Sequence, residues 1–236
     1  MPSEPPASRA RREFLRRSLV AAPALGLFGG AAALGGAHAA APATAYAPRY
    51  FTTAEWAFVQ AAVDRLIPAD AEGPGALELG VAEFLDRQMD DAYGRGELWY
   101  MQGPFHPEAA PTLGYQLRFT PRELYRAGIK AVDDWCGRQH GKPFAELAPD
   151  QRDEVLRQLE GGAIELDGVP AKAFFAQLLT NTKEGYFADP MYGGNKGMGS
   201  WKMIGFPGAR ADFMDWSEQP GKPYPLGPVS IKGARA

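Results

Sequence analysis

The chain has 236 residues, enough for one domain of good size, and a formal charge of −3 from 25 Lys+Arg and 28 Asp+Glu. The first 39 residues hold five Arg and two Glu, so the remainder carries 20 basic and 26 acidic residues. This mildly acidic body excludes a general nucleic-acid binder, which needs excess cations to neutralise phosphates. The one cysteine, Cys136, excludes an internal disulfide, a Cys-based zinc site and an Fe–S cluster held by this chain alone. Gly and Pro make up 49 of the 236 residues, so turns and irregular loops occupy much of the chain.

Residues 1–39 read as an export signal. A basic stretch, Arg9 to Arg17, precedes an uncharged run from Ser18 to Ala37 rich in Ala, Gly and Leu. Ala37-His38-Ala39 then supplies a small-x-small cleavage pattern. The segment Arg11-Arg12-Glu13-Phe14-Leu15-Arg16 resembles the twin-arginine export motif, with Ala10 where Ser or Thr is usual and Arg16 in place of Lys. The resemblance implies carriage of a folded protein to the periplasm. An uncleaved anchor is the alternative, although Pro23 and repeated Gly weaken a span. No later run is apolar enough to cross a bilayer.

Residues 40–50 read as an Ala/Pro-rich linker, and residues 51–236 as a single, mostly α domain of about five helices. Thr52-Thr53-Ala54-Glu55 is a capping box; Trp56, Val59, Val63, Leu66 and Ile67 follow at helical spacing, and Pro68 stops the helix. A second helix is expected from Ala76 to Met89, with Leu77, Val81, Phe84 and Leu85 inward. Residues 94–119 are irregular and aromatic. Thr120-Pro121-Arg122-Glu123 opens a third helix running to about Gln139 and stopped by Gly141. Pro149 opens a fourth, ended by Gly161-Gly162, and a fifth spans Pro170 to Lys183. Neither βαβ alternation nor an internal repeat is present.

The tail from 185 differs in kind. Its 52 residues contain ten Gly, six Pro and eight aromatics. Rings in such number predict order, because leaving them in water forfeits a large burial energy. The run Gly193-Gly194-Asn195-Lys196-Gly197-Met198-Gly199 fits neither nucleotide-loop pattern, so a tight aromatic-flanked turn is expected.

Catalytic constellations are sparse. His106 and His140 lie in different segments; His140 falls in the last turn of a helix, where a cation is favoured. Asp90-Asp91 and Asp133-Asp134 are adjacent pairs whose side chains diverge, expected at the solvated surface. Cys136 is expected as a small buried apolar residue. No residue is assigned to catalysis, to a cofactor or to a metal.

Two blocks are distinctive: Gly185-Tyr186-Phe187-Ala188-Asp189-Pro190-Met191-Tyr192-Gly193-Gly194-Asn195, and Gly199-Ser200-Trp201-Lys202-Met203-Ile204-Gly205-Phe206-Pro207-Gly208. They resemble the small (gamma) subunit, or subunit 3, of the gluconate 2-dehydrogenase family. The resemblance extends to Phe51–Pro68, to Gly80-Val81-Ala82-Glu83-Phe84 and to Gly103-Pro104-Phe105. It implies a non-catalytic subunit of a periplasmic, membrane-associated dehydrogenase of sugars, sugar acids or polyols. In such complexes a large subunit carries FAD, a cytochrome subunit with c-type haem often passes electrons on, and the small subunit brings the large one through export. This chain then holds no cofactor itself, and its partners are the flavoprotein, a possible membrane-anchored cytochrome c and the twin-arginine translocase. The expected partner face is Phe187, Asp189, Tyr192, Gly193, Gly194, Asn195, Trp201 and Phe206. The alternative is a stand-alone exported binding or structural protein outside redox chemistry.

Overall fold

The computed structural model describes residues 46–236, so the expected signal residues Arg11, Arg12, Phe14, Leu15, Ala37 and Ala39 lie outside it. Six α-helices follow in order: α1 Thr53–Leu66, α2 Val81–Asp90, α3 Pro121–His140, α4 Pro149–Gly161, α5 Ala171–Phe187 and the short α6 Gly199–Ile204. Isolated bridges, without strands, complete the backbone pairing among the described residues. The class is mostly α, with a long irregular segment after α5.

Local chemistry sets the helix starts. Thr52 is extended, its N–H donates to Glu55 Oε2 at 2.8 Å, and its hydroxyl accepts from the Glu55 N–H. At α3 the Thr120 N–H donates to Glu123 Oε2 at 2.8 Å, with Pro121 in the first turn. Gly141, at φ +72°, closes α3.

Two boundaries differ from expectation, both at glycine. The chain turns through residues 76–80 and enters α2 at Val81, because Gly80 is left-handed at φ +73°. A Cβ there would lie 2.5 Å from Lys196 Cε, so the glycine also admits the later loop. Helix α5 continues past Lys183 to Phe187. Gly185 does not stop it; a Cβ at Gly185 would lie 2.6 Å from Phe84, so the residue serves close helix contact.

The apolar faces of α1–α5 meet in one core. Phe58, Tyr125, Phe144 and Phe174 are its largest fully buried side chains, with Phe58–Phe144 centroids 4.6 Å apart. Packing on this scale supplies most of the stability of such helices. Arg65 forms a two-pronged pair with Asp153, at 2.7 and 2.8 Å, tying α1 to α4. The Tyr125 hydroxyl donates to Asn181 Oδ1 at 3.2 Å, and Gln177 and Asn181 both donate to the Tyr93 hydroxyl. Burial pushes both phenols up, Tyr125 well above the ordinary value, so the network is built from neutral tyrosines.

Asp86 on α2 is fully buried and accepts four hydrogen bonds. Three come from backbone N–H groups, Arg49 at 2.7 Å, Tyr50 at 3.1 Å and Phe51 at 2.9 Å; the fourth is the Tyr46 phenol at 2.7 Å. A buried carboxylate is tolerated because these donors replace its water. The segment before α1, expected to be linker up to residue 50, is thereby laid across α2.

Asp86→Ala removes the acceptor for these buried donors and is expected to cost about 3 kcal/mol, the upper end for hydrogen bonds to a charged group. Urea denaturation of the purified chain measures it; a loss below about 1 kcal/mol would mean that water replaces the carboxylate without penalty.

Candidate partner-docking loop

Helix α5 ends at Phe187, and the loop to Gly208 is built on its C-terminal carbonyls. Asp189 is buried and uses both oxygens. Oδ1 accepts the Met191 N–H at 3.0 Å, opening the turn Pro190–Tyr192, and Oδ2 accepts the Ile231 N–H at 2.6 Å. One carboxylate thus folds the loop and tethers the C-terminal segment 42 residues later.

Gly193 and Gly194 bring the chain back over α5. A Cβ at Gly194 would lie 2.1 Å from the Gly185 carbonyl oxygen, a contact that excludes any side chain. Asn195 is fully buried in the left-handed region at φ +46°. Its Nδ2 donates to the Ala188 carbonyl at 3.0 Å, and its Oδ1 accepts from the Ser200 N–H at 3.0 Å and the Ser200 hydroxyl at 2.8 Å. Trp201 is buried, and its indole N–H donates to the Phe187 carbonyl at 2.9 Å. Phe206 lies edge-on to Trp201 at 5.0 Å. Buried Glu83 pairs with Arg87 on its own helix and with Lys196 of the loop, the latter at 2.5 Å.

The eight residues expected at the partner face therefore divide into two sets. Asp189, Gly193, Gly194, Asn195 and Trp201 are engaged by the chain's own fold: four contact its backbone or carbonyls, and a Cβ on Gly193 would lie 3.0 Å from the Arg87 side chain. Trp201 in particular is an internal pin, because its ring packs inward and its N–H is already used. Phe187, Tyr192 and Phe206 are 43, 46 and 44 % exposed, and these three rings are what the loop presents to solvent.

Sequence reasoning missed three parts of this region: the Asp189–Ile231 tether, the Glu83–Lys196 pair, and an apolar cleft of about 640 Å³ beside α6. Ile204, Pro207, Phe213, Trp216 and Tyr224 wall the cleft. The tail's ring count signals packing but not which rings meet; Tyr224 packs edge-on to both Phe213 and Trp216.

The remaining candidates are separate. His106 is exposed and paired with Glu108 at 3.2 Å; His140 packs on Trp135 at the end of α3. Cys136 is buried, and burial pushes its thiol up to about 12. Asp133, expected in solvent, is half-buried and accepts the Phe144 N–H at 2.9 Å; burial raises its carboxyl above the usual range. Among the described residues no His, Cys, Asp and Glu cluster is placed to hold a metal ion, and no helix is long and apolar enough to cross a membrane.

The fold and its loop define a small helical domain that displays an ordered aromatic surface. The chain belongs to the gluconate 2-dehydrogenase subunit 3 family, whose description matches residues 53–208. Its members are subunits of a dehydrogenase complex, and the match covers all six helices and the loop up to Gly208. Neither a curated protein nor a solved structure matches the chain.

Gly194→Ala places a methyl group against the Gly185 carbonyl and is expected to cost about 2–3 kcal/mol, the upper part of the range for forced overpacking. Gly197→Ala, at φ +64° with open space around it, is expected to cost only about 1 kcal/mol of backbone strain. Urea midpoints compare the two; equal losses would show that backbone conformation, not close approach, governs the loop.

Proposed function

We propose that this chain is the non-catalytic small subunit of a periplasmic, FAD-dependent sugar, sugar-acid or polyol dehydrogenase. It binds the flavoprotein large subunit and carries it, as a hitch-hiker, through twin-arginine export and maturation. FAD belongs to the large subunit, and c-type haem to a cytochrome subunit that joins the complex to the membrane. Family membership supports the coarse part of this reading. The observation that carries the finer part is the loop itself. Its buried polar groups are spent on its own fold, while Phe187, Tyr192 and Phe206 remain nearly half exposed. Exposed rings on a rigid backbone are the usual anchors of protein interfaces.

The contact face is the three rings together with the cleft beside α6. The partner covers them, and the internal pins hold them in place at little entropic cost on binding. The leader supplies the route. Twin arginines are read as a pair by their receptor, and a partner without a signal follows by remaining bound to this subunit.

Phe187→Ser with Phe206→Ser should leave the helical content of the purified chain unchanged. The same variant should weaken capture of the large subunit by at least about tenfold, since truncating one interface anchor commonly costs about 2 kcal/mol. Circular dichroism and pull-down read the two effects. Capture at the original strength would remove this face from the interface.

Arg11→Lys with Arg12→Lys keeps the charge and should leave both subunits in the cytoplasm, as read by fractionation. Normal periplasmic arrival of the double variant would refute the twin-arginine route.

A further inference from the structure

A second surface, sharing no residue with the aromatic loop, lies where α3 begins. Arg118, Arg122, Arg126 and Lys130 recur every four residues along a cleft of about 740 Å³, with Tyr50 and Phe119 in its walls. The last three share one face of α3, and this spacing repeats about every 6 Å along the helix. We propose that this cleft docks an extended acidic segment of a protein partner.

Charge is the first argument. The body of the chain carries more acid than base, yet four cations stand here in line. Arg126 is paired with Glu55 at 3.0 Å and Lys130 with Asp134 at 2.5 Å. Arg118 and Arg122 have no carboxylate within 4.0 Å among the described residues. Arg122 also sits in the first turn of α3, where the helix dipole opposes a cation. Neither a carboxylate partner nor the helix dipole favours a positive charge at that place, whereas an incoming anion is attracted by both the side chain and the helix end.

Shape is the second. The guanidinium of Arg118 lies over the Phe119 ring at 5.0 Å and that of Arg126 over Tyr50 at 4.5 Å, so the charges are held on aromatic platforms. Carboxylates on alternate residues of an extended chain repeat about every 6.7 Å, close to the helical spacing of the cations. Glu123 and Glu55 interrupt the stripe, and Glu123 Oε2 is held by the Thr120 N–H. A continuous anionic sheet of lipid headgroups meets repulsion at those acids. Separate carboxylates on a peptide pass between them.

The test titrates the mature chain into labelled peptides at low salt and follows fluorescence anisotropy. The probes are a short peptide of alternating Glu and Ala, its Gln counterpart, vesicles containing phosphatidylglycerol, and inorganic phosphate as competitor. The acidic peptide is expected to bind, the neutral one not, and affinity is expected to fall as salt rises. Arg118→Gln with Arg122→Gln should weaken binding at least about tenfold, as for loss of paired interfacial charge. Arg118→Gln with Lys130→Gln, both exposed, provides a second variant with the same expectation. Lys202→Gln, on α6, should change nothing. Unchanged affinity in folded double variants would overturn the proposal, as would equal binding of the neutral peptide, or capture by vesicles or phosphate in preference to the acidic peptide.

Discussion

Everything after Phe187 depends on how closely helix α5 approaches its neighbours. A Cβ at Gly128 on α3 would lie 2.2 Å from Phe174, and one at Gly185 would lie 2.6 Å from Phe84 on α2. These two absent side chains let α5 sink between α2 and α3 and bury Phe174 and Leu178 fully. Interiors packed to crystal-like density do not yield, so the axis of α5 is set to within a small tolerance. The carbonyls at its C-terminal end are then fixed in space. Any helix leaves such carbonyls without intrahelical partners. Here Trp201 Nε1 takes that of Phe187 and Asn195 Nδ2 takes that of Ala188, so the loop is assembled on the end of the helix.

This arrangement separates two duties within one segment. Polar side chains turn inward with Trp201 and satisfy backbone groups, while Phe187, Tyr192 and Phe206 remain nearly half exposed. In an ordinary loop the balance runs the other way, since water satisfies backbone groups and rings seek the core. Full burial of a ring contributes about 1.5–3 kcal/mol, so each half-exposed ring leaves on the order of 1 kcal/mol unrealised in the isolated chain. A surface built at that cost, on a backbone held by Asp189, Asn195 and Trp201, is suited to recognition by a second protein.

Local signals were legible in the sequence and distant ones were not. Thr52 with Glu55, Thr120 with Glu123, and Gly141 act within one helical turn, and each end falls where those residues place it. Gly80 and Gly185 could not be interpreted the same way. A glycine serves equally as a stop, a turn or a point of contact, and the choice rests on Lys196 and Phe84, far along the chain. Asp86 lies beside Leu85 on a helix whose apolar pattern accounts for its inner residues other than Asp86 and Glu83; the donors to Asp86 come from residues 46–51, before the helix, and carry no periodic mark. Within the loop, the aromatic count predicted order. The hydrogen bond that holds the Trp201 indole to the end of α5 is one that no local pattern encodes.

The acids of the folded body are placed in the same spirit. Asp86, Asp189 and Glu83 are buried and spent on backbone amides or on Lys196 and Arg87. Their charges therefore serve internal order and contribute little to the field at the surface, which falls off through competing donors and nearby cations. The cations at the start of α3 have no such internal employment beyond Arg126 and Lys130. Net charge alone thus misdescribes this surface: an acidic chain can present a local cationic stripe where cations are grouped and some carboxylates, such as Glu55, Glu83, Asp86 and Asp189, are buried. The aromatic loop follows the same rule for apolarity, with polar groups and Trp201 drawn in and Phe187, Tyr192 and Phe206 left partly out. In both places the outward chemistry is set by what the interior has already consumed.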